Sequence, residues 1–317
     1  MQGFRRFTAL TCASLALFAG GAACSSTRLP GGPEDVSSAP VDDPASGFPA
    51  QVQVAGQPPV TITEQPKRIV SLSPSATSTL YAVGAGEQVR AVSADSTAPP
   101  QAPRTELTAG SDAGAVLAQD PDLVIAPDGA GALADQLRAR DVPVLRTPVP
   151  PDLEAAYGQV ETLGRATGHG NQARALADRM RAQIGEIAAS TPRPAEPTSY
   201  YHEARPDGTT TSPRSYLGSL YSLFGLRSVV RDEARPNPRI PAERLLRDRP
   251  DVVFLADGPC CQVTPESAAA RPGWSELAAV RHHRVHAVDG QQAERWGPGL
   301  VDFARSVSDS LKSSPQR

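Results

Sequence analysis

"LLRDRPDVVFLADG", Leu245–Gly258, sets the reading of this chain. An amphipathic run leads into Pro250, the unbroken apolar run Val252–Ala256 follows, and Asp257-Gly258 closes the stretch. Proline stops the helix, and an apolar run without alternation suits a strand covered on both faces. The same order of parts stands earlier as "LAQDPDLVIAPDG", Leu117–Gly129, with Leu123–Ala126 as the buried strand. A helix, a Pro-Asp turn and a buried strand that occur twice predict two halves built alike.

A second matched pair lies upstream of the first. "SPSATSTLYAVGAGEQVRAV" begins at Ser73, and "SPRSYLGSLYSLFGLRSVV" begins at Ser212. In each, Ser-Pro is read as the start of a helix: serine is a good N-cap, and proline in the first turn forfeits no hydrogen bond. Each half then reads strand, Ser-Pro helix, short strand, helix, Pro-Asp strand, loop. The expected fold is α/β, with two αβα-sandwich lobes at 58–170 and 191–317. Between them, Asp152–Thr167 and Ala173–Ala189 are helical in period. Ala173, Leu176, Ala177, Met180, Ile184 and Ile187 form one stripe, so a single long helix at 171–190 is expected to join the lobes.

The N-terminus places the protein outside the cytoplasm. Arg5 and Arg6 precede the Ala- and Leu-rich stretch Thr8–Ala23, which ends in "GGAAC". This reads as a signal peptide over 1–23, with an apolar region too short to span a bilayer comfortably. Cys24 is then the expected lipid acceptor, which would anchor the mature chain to the outer face of the cell membrane. Residues 24–57 are rich in Pro, Gly, Ser and Asp without apolar periodicity, and are read as a disordered tether. With 34 acidic and 31 basic residues and a net charge of −3, the chain has no basic footprint for nucleic acid.

The order of motifs resembles the helical-backbone substrate-binding proteins of ABC importers, the group that handles ferric siderophores, haem and vitamin B12. The resemblance is carried by "PKRIVSLSPSATSTLYAVGAG" (Pro66–Gly86), "DPDLVIA" (Asp120–Ala126), "IPAERLLRDRPDVVFLA" (Ile240–Ala256) and "ARPGWSELAAVRHHRVHAVD" (Ala270–Asp289), and it covers roughly residues 60–312. It implies a monomeric, lipid-tethered receptor with a ligand cleft between the lobes, at the carboxyl ends of the strands. The residues it puts there are Ser73, Pro74, Asp128 and Gly129 in the first half. In the second they are Tyr201, His202, Thr210, Thr211, Asp257, Cys260, Cys261, Arg295 and Trp296. For the permease, the family uses one glutamate per lobe. Glu243 fills that place in the second half, whereas the matching position in the first is Gly114, with Asp112 the nearest carboxylate.

Other departures bear on the ligand. Positions near Ser111, Asp128 and Asn237 match aromatic residues that stack on the corrin in vitamin B12 binders, and all three are polar here. A large flat apolar face would lose stacking and area without them. A polar metal chelate of the ferric siderophore type is therefore preferred to cobalamin or haem. Arg295 suits it, since a guanidinium makes bidentate contacts to chelating oxygens. Trp296 either offers a ring face to the ligand or packs the core.

Cys260 and Cys261 have no other partner once Cys12 is assigned to the signal and Cys24 to the lipid. In an oxidising setting they are read as a vicinal disulfide that shapes the cleft wall, or else as a kink in a loop. His282, His283 and His286 are read as a surface turn and not as a metal site. His202 is either a cleft residue or a solvated loop histidine. No nucleophile elbow, phosphate loop or H-E-x-x-H occurs, so no residue set supports an enzyme or a cofactor. A reading from another class keeps the fold without transport, as a sensor or interaction module, and Gly114 is the feature that favours it.

Overall fold

In the computed structural model of the protein, residues 47–193, 197–231 and 237–313 are described. The expected signal peptide, Cys24 and most of the tether lie outside them. The packed domain begins earlier than composition suggested. Strand β1 (Ala50–Val52) pairs antiparallel with β2 (Val60–Ile62). Val52 and Val54 alternate with exposed Gln51 and Gln53, and both valines are buried. A period of two over four residues was enough to bury one face, so the tether cannot run to residue 57.

The first lobe follows as β3 (Ile69–Ser71), α1 (Pro74–Ala82), β4 (Val89–Val92), α2 (Ala113–Leu117), β5 (Leu123–Pro127), α3 (Gly131–Arg138) and β6 (Val144–Thr147). Its four strands are all parallel in the order β4-β3-β5-β6. Two helices come next. α4 (Leu153–Thr167) is capped by the Asp152 carboxylate, which accepts from Ala155 N at 2.7 Å. It ends at Gly168, whose positive φ of 80° closes the helix in the left-handed region. α5 (Gly170–Ala189) then runs 20 residues, about 30 Å.

The second lobe repeats the first. β7 (Thr198–Glu203), α6 (Tyr216–Leu223), β8 (Leu226–Ser228), α7 (Ala242–Asp248), β9 (Val252–Leu255) and α8 (Gly258–Cys261) are followed by α9 (Pro265–Ala269), α10 (Ala278–Arg281), β10 (Val285–Ala287), α11 (Gly290–Ala293) and α12 (Leu300–Ser313). Its parallel strands lie in the order β8-β7-β9-β10, the same topology as the first lobe. The doubled Pro-Asp motif thus marks the third strand of both sheets.

The Ser-Pro pair holds at one of its two places. Ser73 caps α1, with Pro74 in the first turn. In the second half the helix starts four residues after Ser212, and Ser215 is its cap, accepting from Gly218 N at 3.1 Å. Pro213 stays in the loop and presses its carbonyl on Gly218, where a Cβ would collide with it. Each sheet is covered on both faces. One core joins Ile69, Leu123 and Ile125 of the first sheet to Tyr200, Val252 and Phe254 of the second, through α4, α5 and α12. Separate cores seal the far faces, around Val124 and Val144 in one lobe and around Tyr201 and Val253 in the other.

Candidate ligand-binding cleft

In each sheet the chain reverses its winding between the first and third strands, and the crevice outside that switch point is where open α/β sheets take ligands. In the second lobe β7 and β9 flank it, ending at Glu203 and Leu255. A cavity of about 280 Å³ opens there. His202, Arg205, Thr209, Thr211, Ser215 and Asn237 form much of its wall, and Val149 of the first lobe closes it. Val149 sits between prolines in "PVPPD" and, among the described residues, is the large apolar residue left exposed, at 49%. Sequence reading passed over it.

Each predicted residue has a definite place. His202 is buried, with Nδ1 2.9 Å from the Tyr221 hydroxyl, and burial pushes its pKa down to about 4. Thr211 shares a hydrogen bond of 2.8 Å with Ser215 in the cavity wall. Tyr201 goes the other way. Successive side chains of a strand point to opposite faces, so Tyr201 packs in the outer core with Leu245, Val253 and Trp274, away from the cleft. Thr210 is fully buried. Ser73 is buried as a helix cap, and Thr147 also donates to it at 3.4 Å. Pro74 fills the first turn behind it. Asp128 and Gly129 are exposed, and Asp128 pairs with Arg146 at 3.5 Å.

Arg295 spans the lobes. Its guanidinium donates to Thr97 Oγ1 at 2.6 Å and to the Asp95 carbonyl at 3.4 Å, while Thr97 donates to Gln291 Oε1 at 3.1 Å. Buried hydroxyls hold the receiving loop: Ser93 donates to Asp95 at 2.5 Å, and Ser96 meets both Ser93 and Thr77. Arg295 and Trp296 belong to a second inter-lobe cavity of about 510 Å³, walled by Ser78, Tyr81 and Pro99 of the first lobe. Trp296 borders this cavity and is also buried in the shared core. Partial burial lowers the pKa of Arg295, with Asp289, Asp95 and Glu294 nearby acting against the shift.

A buried acidic pair lies beside the first cavity. Glu203 ends β7 on the face opposite His202, and Arg271 Nη1 reaches both its oxygens at 2.7 and 2.8 Å. The side chain of Asp257, also buried, is a neighbouring acidic group. Burial and this second carboxyl raise the pKa of Glu203 to about 8. A pattern of "HE" at the end of an apolar strand could have drawn attention to Glu203, since a carboxylate is rarely buried without partners.

Cys260 and Cys261 are exposed in α8, just beyond Asp257, with their sulfurs at bonding distance, and they line neither inter-lobe cavity. Glu243 is exposed at the second position of α7. Gly114 holds the same position in α2, and Asp112 is that helix's cap, accepting from Ala115 N at 2.9 Å. His282 and His283 lie in an exposed turn, while His286 is on β10.

Two parallel α/β sheets of one topology, joined by helices and meeting across a polar cleft, define a two-lobed solute-binding protein. The chain belongs to the periplasmic binding protein family, whose model matches residues 69–291. It is 28% identical over 291 residues to the uncharacterized ABC transporter substrate-binding lipoprotein YvrC of Bacillus subtilis, covering 89% of this chain and 91% of that one. It is 32% identical over 258 residues to the vitamin B12-binding protein of Pectobacterium atrosepticum, covering 78% and 88%. Among solved structures, the ABC-type Fe3+-hydroxamate transport protein of Saccharomonospora viridis shares the fold. It has a TM-score of 0.70 and 22% identity, with 84% of this chain and all of that one covered.

Proposed function

We propose that this chain is a lipid-anchored, extracytoplasmic receptor of an ABC importer, and that it captures an oxygen-rich metal chelate of the siderophore type. The observation that carries this reading is the wall of the cavity at the second lobe's switch point. Hydroxyls, an amide and an Arg205–Glu294 ion pair line it, and Tyr216, another wall residue, donates its hydroxyl to the Ala293 carbonyl at 2.6 Å. Such a surface suits a ligand rich in oxygens more than a flat apolar ring. Cobalamin is the second reading, drawn from the names of relatives; polar Ser111, Asp128 and Asn237 count against it.

At about 280 Å³ the cavity is near the lower bound for small-ligand sites, roughly 300–1,000 Å³. Arg295, in the second inter-lobe cavity, can leave Thr97 and turn to the ligand, which exchanges a neutral acceptor for an anionic one. Arg295, His202 and Thr211 are the proposed ligand contacts. Cys260 and Cys261 are read as a vicinal disulfide on the rim, Cys24 as the lipid site, and Glu243 as the permease contact, with Asp112 its counterpart in the first lobe.

Tryptophan fluorescence tests the reading, because Trp296 borders the second inter-lobe cavity and Trp274 lies in the outer core. Titration with ferric hydroxamates, ferric catecholates, hemin and cyanocobalamin should give saturable quenching with one iron chelate. Arg295→Ala should weaken it by roughly 10- to 100-fold, as expected for a charge-assisted contact. Saturation by cyanocobalamin alone would install the second reading, and silence with every compound would favour a sensor on the same fold.

A further inference from the structure

The imidazole of His202 is held in a single chemical form, which limits what can bind against it. Its ring lies among aromatic neighbours, with centroids 5.9 Å from Tyr221 and 6.3 Å from Phe303, and the residue lines the cleft cavity. Nδ1 is 2.9 Å from the Tyr221 hydroxyl, which has no other hydrogen-bond partner among the described residues. If Nδ1–H donated to the phenol, the phenolic proton would be stranded in a fully buried site, a costly arrangement. If the phenol donates to Nδ1, its proton is used and the one imidazole proton resides on Nε2.

The surroundings also keep the ring neutral. Burial disfavours the imidazolium, which is why the pKa falls to about 4. The adjacent Glu203 faces the other side of the sheet, where Arg271 holds it. Tyr221 and Phe303 are the groups packed on the ring from α6 and α12. Among the described residues of the cavity wall the charged groups are Arg205 and Glu294, which pair with each other at 3.0 Å. No unpaired acid is left there, among the described residues, to draw a proton onto the ring.

We infer that His202 is a specificity-determining residue: a neutral imidazole whose Nε2–H is offered to the cleft and takes an oxygen acceptor of the ligand, not a metal ion. A metal needs a ring lone pair. The one on Nδ1 is used by Tyr221, and Nε2 carries the proton. The role in selectivity rests on the cavity being the ligand site; the tautomer does not.

Long-range proton–nitrogen correlation spectra of the 15N-labelled protein distinguish pyrrole-type from pyridine-type ring nitrogens. His202→Asn identifies the relevant signals among the five histidines by their loss. The expected result is a pyrrole-type Nε2 and a pyridine-type Nδ1, unchanged between about pH 6 and 8, where an ordinary histidine titrates. Tyr221→Phe removes the donor and should shift the Nδ1 signal towards a tautomer average. A protonated Nδ1 in the unaltered protein, or a titration in that range, would overturn the inference. So would an absorption shift on adding hemin that vanishes in His202→Asn, because it would reveal an iron–imidazole bond. The spectra need no ligand, so failure of every chelate to bind would sink the transport reading and leave the tautomer assignment standing.

Discussion

Glu203 and Asp257 put two carboxyls in a buried site served by one guanidinium, Arg271. Burial and the neighbouring carboxyl disfavour the ionised form of Glu203. Tyr201 packs nearby and stays protonated, its pKa driven up mainly by burial, while Asp207 adds a distant negative charge. The consequence for stability has a definite sign. Glu203 titrates near its ordinary 4.5 when unfolded and at about 8 when folded. Between those values the folded state binds the extra proton, so its contribution is full below about pH 4.5 and is lost as pH rises through 8. His202 acts on the acid side, because its lowered pKa makes the folded state resist protonation below the ordinary histidine range. Melting temperatures measured across about pH 6 to 9 should fall with rising pH. Glu203→Gln, which cannot titrate, should flatten that slope. An equal slope in the variant would mean that another group is responsible.

Helix starts show how local chemistry selects among similar sequences. Ser212 and Ser215 both precede α6, but only Ser215 accepts from a first-turn N–H, while its hydroxyl donates to Ser212 O at 2.7 Å. Ser212 Oγ accepts from the Arg214 N–H at 3.1 Å, inside the loop. Ser215→Ala should therefore cost about 1 kcal/mol or more in a urea titration, as a lost cap does, and Ser212→Ala distinctly less. The reverse ranking would restore the Ser-Pro reading of this helix. Most elements were legible before any coordinates, because apolar runs and Pro-Asp turns act locally: β5, β9 and α5 fall where periodicity put them. The site was less legible. "YYHE" is buried throughout, and no local pattern says that His202 faces the cleft while Tyr201 faces the outer core. The contact of Arg295 with Thr97 joins residues far apart in the chain, and only the closed fold brings them together.

At the scale of the whole molecule, the lobes are joined by more than a helix. α5 packs against α4 and α12, and the core they form is continuous with the inner faces of both sheets. Leu176, Met180 and Ile184 on α5 are in one cluster with Leu163 of α4 and Phe303 and Val307 of α12. A hinge that opened widely would have to expose part of that core, at roughly 25 cal/mol per Å² of apolar surface. Loop and side-chain movement does not incur that cost. Arg295, Gln291 and Thr97 can part, and the half-buried guanidinium can swing to a ligand, while α4, α5 and α12 stay packed. Small-angle scattering of the ligand-free and chelate-saturated protein should therefore give radii of gyration that differ by less than about 1 Å, as in complexes with little backbone change. A difference of several ångströms would show that the shared core yields on binding, and the latch at Arg295 would then be a minor part of closure.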